Sequence, residues 1–118
     1  MSNELAALTR RLVAFRDARD WRQFHSLKNL LLSVSLEAAE LLELAQWRSD
    51  AELDASLTDP ALRQRLEEEC ADLLLYLLLI AEKADIDLVD AATRKIETNE
   101  KKYPAHKARG SAKKYTEL

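Results

Sequence analysis

At 118 residues, with 47% hydrophobic and 33% charged residues and a net charge of −3, the chain has the size and composition of one globular domain, residues 1–118. The weakly acidic balance gives no reason to bind nucleic acid, and the longest apolar run, Leu73 to Ala81, is too short to span a membrane. A lone Cys70 excludes an internal disulfide and agrees with a reducing cytoplasm, while one Gly and two Pro leave few strand turns and point to an all-α fold.

The N-terminal "MSNELAALTRR" lacks a basic segment followed by an apolar one, so no secretory signal is expected. Leu5, Leu8, Leu12 and Phe15 recur at three-to-four spacing, which predicts a first helix from about Asn3 to Arg19. A polar and aromatic connector, "RDWRQFHSLKN", follows, with Ser26 as an N-cap. A second helix is expected from about Asn29 to Arg48, then a short helical piece from Ala51 to Leu57. "TDP" starts the third helix, because Asp59 can cap and Pro60 suits the first helical position; this helix continues to about Ala84. Asp87 caps a fourth helix reaching Lys102, and residues 103–118 form a C-terminal tail without useful periodicity. Short connections between helices of this length favour a four-helix bundle. The second helix is apolar nearly all round, and such a helix needs cover on every side, so a homo-oligomer is expected.

Two acid pairs interrupt this apolar plan. At 100° per residue, Leu30, Val34, Leu41 and Leu44 lie within about 60° of Glu37, and Glu40 lies about 60° to its other side. The third helix repeats the arrangement, with Leu62, Leu66, Leu73, Tyr76 and Ile80 on the face of Glu69, and Asp72 three residues on. Burying one ionised carboxylate costs several kcal/mol, and clustering four costs more. Protonation or a cation would relieve it. Local basic residues are scarce, since Arg65 and Lys83 lie at the ends of the face. An all-oxygen set without His or Cys suits a hard cation, Mg²⁺ or Mn²⁺, and not a di-iron centre, which needs Glu-x-x-His. The competing reading is surface acids on a helix of different phase. Cys70, about 100° from Glu69, reads as a small buried residue.

Glu37-x-x-Glu40 followed, after 28 intervening residues, by Glu69-x-x-Asp72 resembles the signature of the MazG-like, all-α nucleoside triphosphate pyrophosphohydrolases. The flanking "FRDARDWRQFHSLKNLLLSVSLEAAELLELAQW" and "NEKKYPAHKARGSAKKYTEL" are similar to the dCTP pyrophosphatase branch, from about Phe15 to Leu118. The resemblance implies hydrolysis between the α and β phosphates, releasing a monophosphate and pyrophosphate. It implies that Glu37, Glu40, Glu69 and Asp72 bind Mg²⁺ and form the catalytic centre, with Glu37 or Glu40 accepting a proton from water. It also implies that Trp21 and Trp47 enclose the base, and that the assembly is a dimer or tetramer.

Tyr76, one turn beyond Asp72, is placed to meet the sugar. Asn99 shares a face with Val89, Ala92, Ile96 and Tyr103, where a buried amide would need a cytosine edge or a deoxyribose hydroxyl as partner. Lys95 lies at the margin of that face, within reach of a phosphate, and His25 borders the pocket from the connector. The basic run from Lys101 to Lys114 is expected to make ordered contacts to a neighbouring subunit or near the triphosphate. Leu12 stands where the animal members have a His, and Leu36 and Ala39 replace Gly residues, departures that bear on base choice and not on the metal set. The expected activity is Mg²⁺-dependent cleavage of dCTP in nucleotide pool control. The alternatives are a dUTP-preferring or broad-range pyrophosphatase, and a non-catalytic helical interaction module.

Overall fold

The computed structural model describes residues 3–118, which are helical or irregular with no strand among them. Residues 1 and 2, where the N-terminal signal reading begins, lie outside the described residues. The helices are α1 (Asn3–Ala18), α2 (Leu27–Glu43), α3 (Asp50–Ala55), α4 (Pro60–Ala84), α5 (Leu88–Lys102) and α6 (Ala105–Ala108), with 3-10 turns at Arg22–Phe24, Ser56–Thr58 and Tyr115–Glu117.

The expected starts are built by local chemistry. Ser26 Oγ accepts from the Asn29 N–H at 3.1 Å and opens α2. Ser49 and Glu52 form a reciprocal capping box at α3, Asp59 caps α4 with Pro60 at its first turn, and Asp87 caps α5. The end of α2 differs from expectation: it stops at Glu43 and not Arg48. Leu44, Ala45 and Gln46 close i→i+3 bonds to Leu41, Leu42 and Glu43, which tighten the chain out of the α-helical ladder. Trp47 then takes φ 65°, a left-handed conformation that ends the helix and is uncommon for a bulky residue.

α4 is the central element and packs against both α2 and α1. Leu30 of α2 meets Leu79 of α4 around one cavity, and Leu44 meets Leu62 around another, so the two helices run antiparallel. The buried core is small: Leu30, Leu44, Leu62, Leu78, Leu79 and Ala81. Leu31, Leu32, Leu36 and Leu42, on the side of α2 away from α4, are exposed, at 72% for Leu42. The radius of gyration is 17.8 Å, against about 13–14 Å for a compact domain of this length. The protomer is extended, with α1 and α2 packed on α4. α5 makes no extensive contact with the other helices, and the tail folds back on its end, where Tyr115 meets Tyr103 edge-on and lies under Lys102.

Candidate metal centre and adjoining cavity

The antiparallel pairing of α2 and α4 brings their acid-bearing middles together. One carboxylate oxygen from each of Glu37, Glu40 and Glu69 lies within 4.8 Å of the others. Glu37 and Glu69 are half-buried, Glu40 is exposed, and Glu37 Oε2 and Glu69 Oε2 are buried without a hydrogen-bond partner. Desolvation, followed by the neighbouring charge of Glu40, raises the pKa of both Glu37 and Glu69 above the ordinary glutamate value. Arg65 opposes the shift at Glu69 as the weakest of its influences, so local cations do not balance the cluster.

Asp72 stands slightly apart. Its charge acts on Glu37 and Glu69, but it does not join the close triplet, and it lines an adjoining cavity of about 150 Å³. The walls of that cavity are Leu12, Phe15, Trp21, Leu75, Tyr76 and Leu79, and its polar members are Arg16, His25 and Asp72. The connector builds one side: Asp20 takes φ 55°, the Trp21 N–H donates to the Arg16 carbonyl at 3.1 Å, and the Trp21 ring meets Phe15 edge-on at 5.7 Å. Four expected site residues, Trp21, His25, Asp72 and Tyr76, thus share one cavity beside the acids.

The other expected binding residues are not brought to it within the protomer. Trp47 is 92% exposed at the turn after α2. Lys95 and Asn99 are exposed on α5, so the expectation of a buried Asn99 amide does not hold in the single chain. Cys70 is likewise exposed, against expectation, at the rim of the apolar cavity where Leu41 and Leu44 meet Leu62 and Leu66.

Arg16 was not anticipated. It is 4% exposed, donates from Nε to Asp17 at 2.9 Å and from Nη1 to Glu82 at 3.1 Å, and Nη2 has no partner among the described residues. Its position one turn after Leu12 on the apolar stripe of α1 was the available signal; its partner Glu82, 66 residues away, was not visible. His25 beside it also has a buried, unpartnered Nδ1, and burial, Arg16 and Lys83 lower its pKa.

The sequence model of the MazG-like family matches residues 32–118. The chain is 48% identical over 110 residues to dCTP pyrophosphatase 1 of Rattus norvegicus and 46% identical to that of Homo sapiens, in each case over 92% of this chain. It spans 65% of the length of these curated relatives. A solved structure of a pyrophosphatase from Archaeoglobus fulgidus superimposes with a TM-score of 0.80 at 43% identity, covering 88% of this chain and 95% of that one. With the paired acids of α2 and α4 in the matched region, the chain belongs to the MazG-like family.

Proposed function

We propose that the protein is a Mg²⁺-dependent nucleoside triphosphate pyrophosphohydrolase acting on dCTP, releasing dCMP and pyrophosphate for nucleotide pool control in the cytoplasm. The observation that carries the reading is the acid triplet beside an aromatic cavity of ring size, in a chain similar to dCTP pyrophosphatases. The donor set fits a hard cation: three carboxylates converge, two present buried oxygens without partners, and no His or Cys joins them. Glu37, Glu40 and Glu69, with Asp72 at the edge toward the cavity, would hold Mg²⁺, with Mn²⁺ as the other candidate. When bound, the metal neutralises phosphate charge and lowers the pKa of water.

The chain's own groups have distinct tasks in this reading. Glu37 Oε2 is a buried acceptor free to take a proton from water. Trp21 supplies a stacking face, Tyr76 faces the sugar, and His25 closes the polar end of the cavity. Trp47, Lys95 and Asn99 would reach substrate across an interface between copies, which agrees with the exposed leucines of α2 and the extended shape of the protomer. A homodimer or homotetramer would therefore complete the site. No described helix is long and apolar enough to cross a membrane. Assaying dCTP, dUTP and CTP with Mg²⁺, for wild type and Asp72→Asn, tests the reading: the variant should lose at least about 100-fold in kcat. Full activity in that variant would remove Asp72 from the reaction.

A further inference from the structure

Two cavities meet at one wall. The aromatic cavity beside the acids and a polar cavity of about 180 Å³ share Arg16, His25 and Leu79. The two polar residues of that wall each bury a nitrogen with no partner among the described residues, Nη2 of Arg16 and Nδ1 of His25. Buried polar groups are satisfied in nearly all native structures, so each such atom calls for a ligand or another explanation. An arginine has donors only, whereas a neutral imidazole offers one bare nitrogen as an acceptor. Burial favours the neutral imidazole at His25, with Arg16 and Lys83 acting in the same direction.

We propose that Arg16, with His25 beside it, reads the edge of a cytosine ring inserted between Trp21 and the α4 wall, and so is a specificity-determining residue for pyrimidine and for cytosine over uracil. The inference rests on the nucleotide reading of this cavity. A volume of about 150 Å³ is enough for a benzene-sized ring, so a single six-membered ring fits it more closely than a fused purine. Cytosine presents an amino donor beside ring N3 and the C2 carbonyl, both acceptors. An acceptor at His25 Nδ1 and a donor at Arg16 Nη2 match that order. Uracil reverses the first two, placing a carbonyl toward the imidazole lone pair and an N–H toward the guanidinium. The ion pairs of Arg16 with Asp17 and Glu82 fix the guanidinium plane, leaving Nη2 for the ring.

Equilibrium binding of dCMP, dUMP and dAMP by calorimetry tests this without requiring turnover. Wild type should bind dCMP about tenfold more tightly than dUMP, and dAMP more weakly than either, because mismatched buried polar groups discriminate sharply. Arg16→Met should weaken dCMP binding about tenfold or more and bring dCMP and dUMP to within about twofold. Glu82→Gln, which breaks the same ion pair but keeps the guanidinium, should lower the melting temperature and retain the cytosine preference. Loss of preference in Glu82→Gln equal to that in Arg16→Met would overturn the proposal, since Arg16 would then act only through the fold. If Arg16→Met does not fold, 3-deaza-dCMP, which lacks the N3 acceptor, decides on the wild-type protein: weakening supports a donor to N3, and unchanged affinity refutes it. Hydrolysis of dCTP with an unchanged dCMP preference in folded Arg16→Met would refute this role while leaving the pyrophosphatase reading intact. Arg16-dependent dCMP binding without hydrolysis would do the reverse.

Discussion

Replacing Glu40 by Gln should stabilise the metal-free protein and remove most of its response to Mg²⁺. Two unit charges 4.8 Å apart repel by about 0.9 kcal/mol at the dielectric of water and by about 3.5 kcal/mol at an effective value of about 20. Glu40 is exposed, so screening places its repulsion with Glu37 near the lower figure, about 1 kcal/mol. Unfolding entropy for 118 residues is about 0.25 kcal/mol/K, so the variant should melt about 4 °C higher in EDTA. In the wild type, Mg²⁺ at about 100 times its dissociation constant adds about 2.7 kcal/mol, or about 11 °C on the same scale. The variant should lose most of that shift and all measurable turnover. Thermal melts at fixed protein concentration, with EDTA and with MgCl₂, read both effects, and Glu43→Gln, an exposed acid outside the triplet, serves as the control. A variant that melts lower in EDTA, or that keeps the full Mg²⁺ shift, would refute the metal-cluster argument.

Glu37 and Glu69 hold their protons more tightly folded than unfolded, so their contribution to metal-free stability is fully present below the ordinary value of 4.5 and is lost as pH rises through their raised values. The stability advantage of Glu37→Gln over wild type in EDTA should therefore be largest near neutrality and vanish toward pH 4.5; an advantage independent of pH would contradict the shift. Trp21→Ala should raise KM for dCTP about tenfold or more with little change in kcat, because stacking acts alike in ground and transition states; an unchanged KM would place the base elsewhere. Wild type should sediment as a dimer or tetramer at micromolar concentration, and Leu36→Glu, on the exposed side of α2, should shift it toward the 13.5 kDa monomer. A monodisperse wild-type monomer would contradict the assembly.

The helix starts were legible in the sequence because they are local: Ser26, Asp59 and Asp87 each bond a backbone N–H two or three residues on. The acid triplet was legible because helical periodicity fixes direction, and an i, i+3 pair centred in an apolar stripe has to face the packing partner. The end of α2 was not legible. Leu44 and Trp47 continue the apolar pattern past Glu43 as far as "RSD", which breaks it only after the helix has ended and the backbone of Trp47 has turned left-handed. Arg16 was missed for a different reason. A basic residue on an apolar stripe becomes interpretable only once Glu82 and His25 are seen beside it. Burial of Asn99 was expected from side-chain character and a base against Trp47 from the family resemblance, but a single chain has too little structure around α5 and the α2 terminus to supply either.

The central claim is cleavage of a nucleoside triphosphate between its α and β phosphates by the acid cluster. Phosphorus NMR of dCTP incubated with the protein and Mg²⁺ follows that bond directly. The account predicts dCMP and pyrophosphate in equal amounts, abolished in Glu40→Gln and by EDTA. Orthophosphate with dCDP, or no turnover of any natural triphosphate by a folded, metal-loaded oligomer, would contradict it.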